Sequence, residues 1–221
     1  MVETKIIILD QQEIVYKIHY KRIKNCYLRV EKGEVVIRCS PLFSQSEIEK
    51  LIRNHQEILE QIKGYVPKYN YQEDGYVYLF NQKYQIVLKD MNIKKCAIHD
   101  RQIYVYSKNI QATIEMFLKQ ELMNYLKERI DFYLSTSFHH VFPEIQIKKM
   151  KRRWGACFYQ KNRVCFNLVL AHIDYALIDY VIVHELCHFL EANHSKAFYH
   201  EIEKRMPDYK ERERLLKDVG I

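Results

Sequence analysis

Apolar and polar positions alternate through the first forty residues, as in segments 14–20 (IVYKIHY) and 35–39 (VVIRC). A period of two is that of half-buried β-strands, so these segments are expected to form antiparallel strands with a turn at 31–34 around Gly33. Pro41 ends the last of them. Between 44 and 62 the period lengthens to that of a helix, with Ile48, Leu51, Ile52, His55, Ile58, Leu59 and Ile62 on one face. A tyrosine-rich β region follows at 76–88 and 95–106, with turns at Asn81-Gln82 and Asp100-Arg101. From 111 to about 138, Ile114, Phe117, Leu118, Leu122, Tyr125, Leu126 and Ile130 mark a long amphipathic helix that stops before Pro143. Short strands at 146–150 and 163–168 flank a turn at Trp154-Gly155, and a strongly apolar helix begins near Tyr175. The pattern describes an α+β chain: an antiparallel, β-rich part over 1–108 with one helix, then a helical, catalytic part over 109–221.

At 221 residues and 48% hydrophobic, the chain can bury a full core in one or two small domains. No apolar run approaches the ~18 residues of a membrane span, because Asn167, His172, Asp174 and Asp179 interrupt the most apolar region. Residues 6–9 are too short for a signal-peptide core. A cytoplasmic protein without membrane association is therefore expected. Cys26, Cys39, Cys96, Cys157, Cys165 and Cys187 contain no C-x-x-C pair, which argues against a zinc knuckle or a thioredoxin-like motif.

The chemistry concentrates in the helix after Tyr175. His184-Glu185-Leu186-Cys187-His188 places two imidazoles four residues apart, on one face of a helix and about 6 Å from each other, with Glu185 beside them. Both can reach one cation while leaving room for a water. Residues 181–190 hold no charge except Glu185, so the site would be walled by apolar side chains. A third donor at His194 requires the helix to stop first, and Asn193 tolerates the left-handed conformation that ends helices. Ser195 can then cap a helix over 196–206, bounded by Pro207. Glu201 and Glu203 are the rival third ligands. Three protein donors with an open fourth position describe a catalytic zinc site, one Zn²⁺ per chain.

The formal net charge is +7, and five cations crowd into residues 148–153: Lys148, Lys149, Lys151, Arg152 and Arg153. Such a run is either a solvated surface strand or a patch facing the phosphates of a nucleic acid. The next residues, Trp154 and Gly155, add a rigid apolar plate and a tight backbone, and Arg153 offers a bidentate donor.

Taken together, 153–157 (RWGAC), Asn167-Leu168, 179–188 (DYVIVHELCH) and 193–198 (NHSKAF) resemble the YgjP-like metallopeptidase-domain family, related to the SprT and WLM proteins. The resemblance spans nearly the whole chain. It implies a zincin-like core, His184, His188 and His194 as zinc ligands, and Glu185 as catalytic base. Two positions depart from the family's usual pattern, Ala156 in place of Ser and Tyr199 in place of Trp. The first removes a hydroxyl; the second keeps an aromatic wall.

The leading functional expectation is a zinc-dependent hydrolase of peptide or protein substrates, with Arg153, Trp154 and Tyr199 as substrate or transition-state contacts and His200 as a further candidate. The resemblance also carries a second reading, a metal-dependent nucleoside-triphosphate (UTP) pyrophosphatase, although no glycine-rich phosphate loop is present. A third is a nucleic-acid-associated protease module docked through the basic run.

Overall fold

The structure, a computed structural model, describes residues 2–9, 12–31, 34–55, 69–91 and 93–219. It comprises two compact units, residues 1–67 and 68–221.

In the first unit, β1 (Val2–Leu9), β2 (Gln12–Tyr20), β3 (Tyr27–Glu31) and β4 (Glu34–Cys39) form one sheet in the order β1-β2-β4-β3. Tyr16, Ile18, Val35 and Ile37 point into a core completed by Ile48 and Ile52 of α1 (Gln45–Arg53). β1–β2 and β3–β4 are antiparallel, but β2 and β4 run parallel, from Tyr16 opposite Val35 to Tyr20 opposite Cys39. This corrects the expectation that segments 14–20 and 35–39 pair antiparallel. The intervening strand β3 reverses the chain, and it has no fully buried residue whose alternation would announce it. Ser44 begins α1 with a capping box, its hydroxyl accepting the Glu47 N–H while the Glu47 carboxylate accepts the Ser44 N–H. The expected turn at Gly33 and the expected helical positions Ile58, Leu59 and Ile62 lie outside the described residues.

The second unit contains a five-stranded sheet in the order β5-β6-β7-β9-β8. Its two hairpins are β6 (Tyr76–Leu79) with β7 (Gln82–Leu88) and β8 (Lys95–His99) with β9 (Gln102–Tyr106); β5 (Tyr69–Asn70) lies at one edge. Phe80 and Asn81 take φ of 49° and 65°, the left-handed pair that a two-residue hairpin turn needs. Val77, Leu79, Ile86, Ile103 and Val105 share one core with Ile114, Leu118, Leu122, Leu126 and Ile130 of α2 (Ile110–Tyr133). The change from β to α composition near residue 108 thus lies inside this unit.

A small sheet positions the site. It has the order β10-β12-β11, with β10 (Glu144–Lys148) parallel to β12 (Arg163–Asn167) and β11 (Gly155–Phe158) antiparallel to it at the edge. Gly155, read from sequence as part of a turn, opens β11. Against it lies α3 (Tyr175–Cys187), followed by α4 (Lys196–Arg205) and α5 (Tyr209–Val219). Asp174 caps α3 through the Ala176 N–H. Asp179, 8% exposed, ties α3 to α2: it accepts Arg129 Nε at 3.0 Å and Nη2 at 2.7 Å, Tyr125 Oη at 2.8 Å and Tyr133 Oη at 3.1 Å. Four donors on one buried carboxylate satisfy it and fix the helix. No helix among the described residues is long and apolar enough to cross a membrane.

Candidate metal centre

His184, Glu185 and His188 lie at the C-terminal end of α3, where the helical period projects the two imidazoles from one face. The helix ends at Cys187 with His188 as its cap, five residues before the stop expected at Asn193, which does not take a left-handed conformation. Asn tolerates that conformation without demanding it. Here the N–H groups of Leu190 and Glu191 instead fold back on the Cys187 carbonyl, and the Glu191 carbonyl accepts a 3.2 Å bond from His188 Nδ1. An Nδ1–H given to that carbonyl leaves His188 Nε2 with its lone pair.

The turn returns His194 to the first histidine, with its Nε2 3.0 Å from His184 Nε2. Ser195 then caps α4 by accepting the Phe198 N–H, as expected. The cap aims Phe198, fully buried, behind the three imidazoles at ring-centroid distances of 5.0, 4.6 and 4.7 Å from His184, His188 and His194. One donor atom from each histidine lies within 4.8 Å of the others, so the group could hold a metal ion. Burial, reinforced by His188 and His194, pushes the His184 pKa down to about 3; burial also lowers that of His188. These two imidazoles therefore stay neutral and their lone pairs remain available.

Glu185 is 5% exposed and lies against β11. A Cβ on Gly155 would stand 2.5 Å from its Oε1 and 2.7 Å from its Cγ, so this glycine is required by close approach rather than by a turn. Burial raises the carboxyl pKa to about 8, opposed by the Cys157 N–H, which donates to it, and by the charge of Arg153.

These groups open on a cavity of about 600 Å³, a size ordinary for a ligand site. One wall is Arg153 to Cys157 with Tyr159, a second is Tyr180 and Val181 of α3, and α5 supplies Glu213, Leu216 and Lys217. Arg153 is exposed and makes no ion pair among the described residues, while Trp154 packs against the core as well as facing the cavity. Tyr199 does not line the cavity; its ring stacks on Tyr209 at 6.2 Å. His200 does not line it either. Of the rival ligands, Glu201 is taken up by Lys204 and Arg205, and neither it nor Glu203 joins the histidine group. The basic run disperses: Lys149 pairs with Glu115 at 2.6 Å, and of the five cations only Arg153 reaches the cavity. Tyr180 and the three α5 residues escaped the sequence reading. The first could have been found one helical turn before His184; the others carry no local signal.

The model of the YgjP-like family, metallopeptidase domain, matches residues 24–219. No curated protein matches the chain significantly. Among solved structures the chain is similar to the crystal structure of the metallopeptidase zymogen of Pyrococcus abyssi abylysin, at 17% identity over 42% of this chain and 94% of that one, with a TM-score of 0.39. It is also similar to the metallopeptidase zymogen of Methanocaldococcus jannaschii jannalysin, at 24% identity over 42% and 96%, with a TM-score of 0.38.

Proposed function

The chain belongs to the YgjP-like metallopeptidase-domain family, and from that premise we propose that it is a zinc-dependent peptidase with His184, His188 and His194 as metal ligands and Glu185 as general base. The observation that carries this reading is the convergence of three imidazoles beside one buried carboxylate on the floor of a cavity. The donor set fits zinc: three nitrogens, which no carboxylate joins among the described residues, lie within 4.8 Å of one another, and two of them, the Nε2 atoms of His184 and His194, stand 3.0 Å apart, close to the ~3.3 Å between donors sharing one tetrahedral ion. When bound, zinc polarises a carbonyl oxygen and lowers the pKa of water towards ~7.

Glu185 supplies the proton traffic. Its buried carboxylate holds a proton readily, so it can take one from the attacking water and release it to the leaving nitrogen. The Cys157 N–H orients the carboxylate, and Gly155 leaves it the space. A peptide substrate suits the surroundings, because edge strand β11 borders the cavity and offers backbone groups to an extended chain. Arg153 and Trp154 flank that strand as substrate contacts.

Elemental analysis tests the metal half of the proposal. About one zinc per chain is expected, lost for the most part in His188→Ala and His194→Ala and retained in Glu185→Gln. Undiminished zinc in His194→Ala would remove that residue from the ligand set.

A further inference from the structure

In the peptidase reading, the substrate's carbonyl oxygen gains negative charge as water adds and is stabilised by a hydrogen-bond donor aimed at it. A donor for that role must be fixed, face the cavity and have no other partner. Arg153 faces the cavity, but its side chain is exposed and solvated. Tyr180 meets all three conditions.

Tyr180 lies one turn before His184, so its side chain leaves α3 on the face that carries the two helical histidines. It is 4% exposed, and its ring meets His184 edge-on at 5.9 Å and 68°. A buried tyrosine hydroxyl ordinarily has a partner, yet Tyr180 Oη makes no hydrogen bond among the described residues. It is not sealed in the interior either, since the residue lines the cavity. The charged and titratable groups around it are Glu213 from α5, Tyr209, Tyr199 from α4 and Glu185 on its own helix. None of them donates to it; Glu213 is engaged by Lys217 at 3.1 Å. An ordinary phenol keeps its proton at neutral pH and serves as a donor.

We propose that the Tyr180 hydroxyl is a catalytic hydrogen-bond donor, binding the oxygen of the scissile carbonyl as it becomes tetrahedral. This rests on the zinc-peptidase reading. Tyr180→Phe removes the hydroxyl alone and keeps the ring against His184. The probe is an N-phosphoryl dipeptide, phosphorylated leucyl-tryptophan, whose tetrahedral anionic oxygens imitate the developing charge. Its affinity for the zinc-loaded full chain is measured by calorimetry beside zinc stoichiometry and the thermal midpoint.

The expected result is wild-type zinc content and thermal midpoint in Tyr180→Phe, with the phosphoramidate bound roughly 10- to 100-fold more weakly, the scale of one hydrogen bond to a charged group. Equal affinity in wild type and variant would overturn the proposal. So would loss of zinc from the variant, which would show the hydroxyl acting on the metal site rather than on substrate. A wild-type protein that takes up no zinc, or takes it up and ignores the phosphoramidate, would instead contradict the peptidase reading, and this role for Tyr180 would fall with it.

Discussion

A methyl group on Gly155 would overlap the Glu185 carboxylate, so alanine there must displace either that carboxylate or strand β11. Gly155→Ala is expected to keep its zinc while turnover falls at least about tenfold, with overpacking costing about 1–3 kcal/mol of stability. Steady-state kinetics beside metal analysis checks this, and wild-type turnover would show that the carboxylate need not sit against the strand. At His184 the folded pKa lies near 3, below the ordinary 6.5, so the unfolded chain binds more protons between those values. Metal-free protein should therefore lose stability as pH falls from about 6.5 towards 3. The loss is expected to be smaller in His184→Asn, compared by denaturant titration at each pH; identical profiles would contradict a neutral, buried His184. At this scale the sequence was informative wherever chemistry is local. The spacing of His184, Glu185 and His188 is a helical period, and His194 follows once a turn is allowed. Gly155 was legible as a special residue, but which neighbour needs its missing Cβ depends on a helix thirty residues away.

Helix α3 carries most of the site, and the Asp179 network anchors it to α2. Asp179→Asn leaves Arg129 facing a neutral amide and should destabilise the fold by about 2–4 kcal/mol in denaturant unfolding. A change under about 0.5 kcal/mol would show that the network does not hold the helix. The long helices were readable because α2 repeats a buried apolar residue every fourth position, from Ile114 to Ile130. The strands were less so. Pairing joins residues far apart in sequence, and alternation alone does not distinguish the parallel β2–β4 pair from an antiparallel one. β11 has only four residues, none of them fully buried, so its pattern is too short to mark a strand. The end of α3 was misplaced because an early turn, closed by His188 itself, took precedence over the more tolerant Asn193.

Across the whole molecule, two cores divide the work, and the cavity lies within residues 68–221. Removing the metal should loosen the turn from His188 to Ser195 that returns His194 to the site. Hydrogen exchange after chelation is therefore expected to quicken over 184–198 and stay unchanged in β2 and β4; uniform exchange changes in both units would contradict this. Sequence patterning revealed the floor of the cavity but not its far wall, because Glu213, Leu216 and Lys217 read as an ordinary charged helix until the chain folds back. The most direct measurement is mass spectrometry of a peptide mixture, prepared from denatured protein, after incubation with the zinc-loaded chain or with Glu185→Gln. New peptide termini are expected with the wild type and not with the variant, although both hold zinc. No new termini from either, or the same termini at the same rate from both, would contradict a zinc peptidase that uses Glu185 as its base.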